Sequence, residues 1–458
     1  MQTIVTAKYD RYEVRLPGPA EGNPFTDGEL WGEFTHDHRT VRVRGFYDGE
    51  GQYCVRFMPD ETGLWRYRTE STVDALTGHS GSFSVSEARD DANHGPVQVV
   101  GGGFAYADGT PYVPIGTTCY AWVHQPEQLR AQTLASLADA PFTKIRMTLF
   151  PKDVRYNRNE PESFVFEGNP KDGFDFTRFS LQFFRRLEDA LESLRALGIE
   201  ADIIIFHPYD KWGFDGLTRE QEERFLRYVV ARLSSFHNVW WSMANEWDFL
   251  GKKSIQDFHN AFRIVQQEDP YHHLRSIHNG RKFYDNELPW VTHLSVQSRE
   301  TARCGEWRSH YGKPVIIDEC GYEGDITEGW GNNTAWELVR LHWTAIVNGG
   351  WPGGHGETYY NEEETLWWSK GGQLRGEAVA RFAFMRSILE DAPTTQLEVR
   401  PFGKHEPCVA AGEEYALVYL GVQQPAWKEL QLSEDRRYRI DVIDTWNMTV
   451  ERLDDSFS

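Results

Sequence analysis

Two rhythms of apolar and polar residues divide this chain. Up to about residue 90 the alternation has period two, in YEVRL, RTVRVRGFYD, GQYCVRFMP, GLWRYRTES and GSFSVSE, with Gly, Asp and Pro between the runs. Period two sends every second side chain to one face of a sheet, so these runs predict short strands of a β-sandwich over residues 1–90. The polar stretch EARDDANHGP reads as a linker. From about residue 100 the rhythm becomes strand then helix. PYVPIGTTCYAW, FTKIRMTLF, EADIIIFHP, NVWWSMANE, LRSIHNG, VTHLSVQS, PVIIDECG and TAIVNGGWPGG are candidate strands. FSLQFFRRLEDALESLRALG repeats apolar residues at three and four and stops at Gly198, and REQEERFLRYVVARLSSF is a second helical segment. Buried strands alternating with helices predict an α/β fold, a (β/α)8 TIM barrel over 100–394. An open doubly wound sheet is the competing topology, but no GxGxxG follows the first strand. YALVYLG, YRIDVIDTW and MTVERL predict a small β-strand unit over 395–458.

Composition narrows the function classes. A hydrophobic share of 40% and an aromatic share of 14% can fill a large core, and a net charge of -21 opposes binding to nucleic acid or an anionic membrane. No apolar run reaches the ~18 to 20 residues that span a bilayer. The N-terminal MQTIVTAKYDRYEVRLPG has no apolar signal core, and the five cysteines lack CxxC spacing, so a cytoplasmic protein with reduced thiols is expected. The 17 Trp and 20 Tyr are natural core material and also suit stacking on sugar rings.

Active sites of such barrels lie at the C-terminal ends of the strands. NVWWSMANEWD delivers Asn245, Glu246 and Asp248 to one strand end, and KPVIIDECGYEG delivers Asp318 and Glu319 to another. An apolar strand that carries a carboxylate to the rim points to chemistry or to a salt bridge. Glycoside hydrolysis uses two carboxyl groups, about 5 to 5.5 Å apart when configuration is retained. WSMANEW followed by VIIDECG resembles glycoside hydrolase clan A, and GTTCYAW, IRMTLFP, FHPYD and LSVQS behind an N-terminal sandwich are similar to the apiosidase-like relatives of cellulase-type family 5.

The resemblance implies Glu246 as acid/base, Glu319 as nucleophile and Asn245 as a partner of the sugar 2-hydroxyl. It also implies that Arg146 fixes Glu319 and keeps its pKa low. Gln297, where clan members often carry an aromatic or His residue, is a candidate pocket residue. Asp248 stays in view as an alternative acid, with a rim salt bridge as its competing role. His207, Tyr120, Trp122 and Tyr322 are further pocket candidates, and Trp351, after the eighth strand, is expected to floor the subsite of the cleaved sugar. His355, Glu357 and Tyr359 share that loop and carry less weight.

No HExxH, Cys pair or GxSxG elbow is present, so no metal, cofactor or serine nucleophile is expected. His207 and His293 are the strand-end histidines able to meet in space. The expected partner is an oligosaccharide or glycoside, with homo-oligomerisation left open. A non-catalytic carbohydrate-binding barrel and a metal-dependent barrel hydrolase are the alternatives.

Overall fold

The structure is a computed structural model that describes residues 5–88, 93–400, 407–429, 433 and 435–453. At its N-terminus a five-stranded sheet runs Val5–Ala7, Ser80–Ser86, Gly63–Ser71, Leu30–His36, Arg39–Arg44 in spatial order, and a three-stranded sheet holds Tyr12–Pro17, Gln52–Phe57 and Phe46–Gly49. The inward positions of both sheets, Tyr12, Val14, Phe34, Phe57, Trp65 and Phe83 among them, form one buried cluster. Phe34 stacks on Phe57 with ring centroids 4.3 Å apart. The interior strand Leu30–His36 was missed in the sequence, although LWGEFTH alternates buried and half-buried positions. EARDDANHGP lies partly outside the described residues.

Eight parallel strands follow: β1 (Gly116–Thr118), β2 (Lys144–Thr148), β3 (Glu200–Phe206), β4 (Val239–Ala244), β5 (Arg275–Ser276), β6 (Leu294–Gln297), β7 (Val315–Glu319) and β8 (Gly350–Pro352). β1 to β5 form one sheet and β6 to β8 another. Single parallel bridges, Thr117 to His355 and His278 to Ser295, join the two sheets at both seams. Helices α1 (Glu127–Ala138), α2 (Leu181–Ala196), α3 (Arg219–Leu233), α4 (Ile255–Glu268), α5 (Cys304–Tyr311) and α6 (Ala335–Val347) separate the strands except β5 from β6, and α7 (Trp367–Lys370) and α8 (Ala378–Glu390) follow. Local signals set their limits. Ser180 accepts from the Phe183 amide at the start of α2, Gly198 at φ 69° ends the turn after it, and Thr218 with Gln221 makes a capping box on α3. The eighth strand is shorter than the sequence suggested. Thr344 to Val347 complete α6, Gly349 turns the chain at φ 81°, and only Gly350–Pro352 is extended.

Buried arginines tie the N-terminal sheets to the helices. Arg56 reaches Glu13 and Glu188, while Arg232 pairs with Glu188 and with Asp48 at 2.7 Å. Beyond α8, Glu398–Val399, Cys408–Ala411 and Tyr415–Val418 form a small sheet, and Asp441–Asp444 pairs with Thr449–Arg452. Among the described residues no helix is long and apolar enough to cross a membrane. All five cysteines are free and buried.

Glu200 opens β3 inside the core, with Trp240 Nε1 donating to its carboxyl at 2.9 Å. Burial pushes this carboxyl from 4.5 up to about 8. The folded chain thus keeps a proton that the unfolded chain releases, so this contribution is complete below about pH 4.5 and is lost as pH rises through about 8. Melting temperature is therefore expected to fall between mildly acidic and mildly alkaline buffer. Glu200→Gln should flatten that slope; an unchanged slope would remove Glu200 from the account.

Candidate active site

β4 and β7 deliver the two carboxylates. The Asn245 amide donates to Phe206 O at 2.9 Å, continuing the ladder one residue past β4. Glu246 then takes the left-handed conformation, φ 47° and ψ 52°. A side chain with a Cβ rarely adopts this backbone, and the surrounding structure must hold it there. Glu246→Gly should therefore leave the fold about 1 kcal/mol more stable than Glu246→Ala. Equal denaturation midpoints for the two variants would contradict a strained backbone.

One hydrogen-bond network joins the pair. Tyr209 OH and, at 3.2 Å, Asn245 Nδ2 donate to Glu246 Oε2; Gln297 Nε2 approaches Oε1 at 3.4 Å. Tyr120 OH donates to Glu319 Oε1, which also meets Arg146 Nη1 at 3.2 Å and lies 3.4 Å from His278 Nε2. Arg146 Nη2 donates to Asn245 Oδ1 at 3.0 Å, and His278 Nε2 is 3.1 Å from Gln297 Oε1, so each carboxylate reaches the other through shared neighbours. Burial pushes Glu319 up to about 8 while the Tyr322 hydroxyl pulls it down. This corrects the expectation of a low Glu319 pKa. Arg146 does sit on the carboxylate, but it also faces the buried Asp202 and lowers the pKa of buried Asp318, so its charge is shared. Burial and Arg146 push His278 well below the ordinary histidine value, leaving a neutral ring.

The pattern of the apiosidase-like catalytic domain matches residues 101–395, more than half of the chain. The chain belongs to the apiosidase-like family. A candidate glycoside hydrolase from Bacteroides vulgatus ATCC 8482 superposes on the apiosidase-like chain with a TM-score of 0.92 and 39% identity, covering 100% of this chain and 94% of that one. Membership and this relative make the protein an enzyme of the glycosidase class. A glycoside hydrolase family 5 protein from the same organism shares the fold at a TM-score of 0.54 and 14% identity, over 71% of this chain and 80% of that one. Two domains of unknown function, DUF5060 and DUF5605, match residues 5–72 and 405–458. No curated protein matches.

The apiosidase-like chain thus gathers Glu246, Glu319, Asn245, Arg146, Gln297, Tyr120 and Tyr322 at one place. The other candidates make different contacts. Trp351 does not floor the site: it pairs with Ile316 inside β8, packs on Phe104 and donates to Gly102 O at 3.1 Å, toward the opposite end of the strands. Trp122 is fully buried, with its Nε1 on Met147 Sδ. His207 turns its Nε2 to Phe150 O, and burial pushes its pKa down to about 3. His293 precedes β6 and packs against Phe104 and Trp240, so His207 and His293 stand at opposite strand ends and do not meet. Asp248 accepts the amides of Gly280, Arg281 and Lys282, which makes it a loop anchor instead of a salt-bridge partner.

Sequence reasoning missed Tyr209, His278, Lys152, Trp330 and Trp368. Tyr209 and His278 stand in the quoted FHPYD and RSIHNG segments, where the strand-end rule would have found them. Lys152 Nζ lies 3.5 Å from the Tyr120 ring centroid and 4.3 Å from that of Tyr209, and burial pushes its pKa down to about 7. Trp368 meets Tyr120 edge-on and stands 4.7 Å from the half-exposed Trp330. Beside Gln297 opens a cavity of about 540 Å³ lined by Asn279, Arg281, Phe283, Trp307 and Tyr311.

Proposed function

We propose that this apiosidase-like enzyme is a retaining glycoside hydrolase that cleaves O-glycosidic bonds of oligosaccharides with Glu246 as acid/base and Glu319 as nucleophile. The observation that carries this reading is the shared network of Asn245, Gln297, Tyr120, Arg146 and His278, which aims both carboxylates from the ends of β4 and β7 into one site. The two seam bridges support one closed (β/α)8 barrel over 100–394, between a β-sandwich at 1–90 and a β-unit at 395–458. Buried free thiols support a cytoplasmic setting.

In the first step a Glu319 oxygen bonds to the anomeric carbon. The bond from that carbon to the aglycone oxygen breaks, and the Glu246 proton goes to the leaving oxygen. In the second step water attacks the anomeric carbon, the ester to Glu319 breaks, and the proton of water returns to Glu246. One water is consumed and both carboxyls regain their starting states. The attack needs the charge on Glu319, where Tyr120, Tyr322 and Arg146 surround it, so turnover requires that the proton which burial favours on Glu319 has left it. The aromatic wall of Trp330 and Trp368 suits a sugar face, and the cavity beside Gln297 suits further sugar units.

A panel of glycosides with product stereochemistry read by NMR tests the reading. Retention of configuration is expected. Glu246→Ala should cost about 10² to 10⁴-fold on poor leaving groups and far less on activated aryl glycosides. Inverted products would remove the double displacement, and binding without hydrolysis across the panel would favour a non-catalytic sugar-binding protein.

A further inference from the structure

Behind the catalytic pair lies a second polar cluster. A two-residue parallel ladder places Glu323 directly opposite Glu357, and His355 projects from the same extended segment two residues earlier. Period two thus puts His355 and Glu357 on one face, beside Glu323 from the next strand. All three side chains are fully buried or nearly so, at 0, 0 and 1% exposure for Glu323, His355 and Glu357. Among the described residues no lysine or arginine pairs with either carboxylate. Like charges facing each other across a ladder in a dry interior are unfavourable without a counter-charge.

Hydrogen bonds hold the three side chains in place and leave one atom without a partner on His355 and one on Glu357. Glu323 accepts from Tyr359 OH at 2.7 Å and from the Glu377 and Ala378 amides at the start of α8. Glu357 Oε2 accepts the Arg375 amide at 2.7 Å. His355 Nδ1 is 2.9 Å from Thr117 Oγ1, itself held by Trp367 Nε1 at 2.8 Å. The remaining atoms, His355 Nε2 and Glu357 Oε1, are buried without a hydrogen-bond partner. They face each other at 3.6 Å, and one ligand atom from each of the three residues lies within 4.8 Å of the others. Gly376 keeps the space open: a Cβ there would stand 2.4 Å from Glu323 Oε2 and 2.8 Å from Glu357 Oε1.

We propose that Glu323, His355 and Glu357 bind a divalent cation of the zinc class. Bonds of 2.0 to 2.2 Å in a tetrahedron put neighbouring ligand atoms about 3.4 Å apart, close to the separation His355 and Glu357 already show. Imidazole nitrogen with carboxylate oxygen is a donor set for zinc or manganese, and the Thr117 contact to Nδ1 is the outer hydrogen bond that orients a ligating histidine. The ion cancels the facing carboxylate charges. It also fastens the segment after β7, which carries Tyr322, to the segment after β8 and to the start of α8. Its role is structural: the reacting atoms belong to Glu246 and Glu319.

Metal analysis of the purified full chain tests the site directly. The expected result is about one zinc or manganese per chain, loss of that equivalent in Glu357→Gln and in His355→Gln, and its retention in Glu306→Gln on the exposed surface. Stripping the wild-type chain with a chelator should lower its melting temperature by several degrees, and added Zn²⁺ or Mn²⁺ should restore it. If the variants do not fold, cobalt loading of the stripped wild-type chain decides, since a bound ion gives a visible ligand-field spectrum. A wild-type chain that carries no metal, shows no cobalt spectrum and melts at the same temperature with or without these ions overturns the proposal.

Discussion

Glu319→Ala is expected to lower turnover by roughly 10⁴-fold or more, because the alanine removes the atom that bonds to the anomeric carbon. Added azide should recover part of the rate on activated aryl glycosides and give the glycosyl azide with inverted configuration, since a small anion can enter the space that the carboxylate leaves. The network around the residue makes this variant informative. Arg146, Tyr120 and His278 remain to bind the anion, so the cavity keeps its charge and shape. A near wild-type rate in Glu319→Ala, with folding confirmed by melting temperature, would end the assignment of the nucleophile.

The second large effect falls on stability. Lys144 starts β2 and is fully buried, with Nζ 2.8 Å from both Asp202 Oδ2 and Asp318 Oδ1. Lys144 and Arg146 hold Asp318 well below the usual carboxylate range against the push of burial. Lys144→Met leaves two buried carboxylates with one counter-charge removed, a loss of about 3 to 5 kcal/mol in chemical denaturation. Because the folded pKa of Asp318 is depressed, its stabilisation holds at neutral pH and is lost as pH falls below about 4. Adding Asp202→Asn to Lys144→Met should return part of the loss. No recovery in the double variant would mean that the lysine acts through packing instead of charge.

The sequence carried the strand ends well because their signal is local. WSMANEW and VIIDECG each place a carboxylate after an apolar run, and the structure sets both at the ends of β4 and β7. Arg146 was expected from the family resemblance, and it meets Glu319 Oε1 at 3.2 Å. Trp351 misled because TAIVNGGWPGG mixes the end of α6 with β8. The aromatic residue reads as a loop residue, yet it lies within the strand and turns into the core. Lys152, Trp330 and Trp368 come from connections whose paths no periodic pattern sets, and each gains its neighbours only when distant segments pack. The pairing of Glu323 with Glu357 depends on ladder register, which composition cannot encode.

By itself the sequence determined the alternation of strands and helices, the limits of α2 and α3, and the two strand-end carboxylates. These follow from side-chain period, capping and the cost of burying charge, all of which act over a few neighbouring residues. Tertiary structure alone decided which aromatics pack beside Tyr120, how far burial raises Glu319, and which buried carboxylates meet beside His355. Such properties arise from desolvation and from contacts between segments far apart in the chain, and they exist only once the core has closed around them.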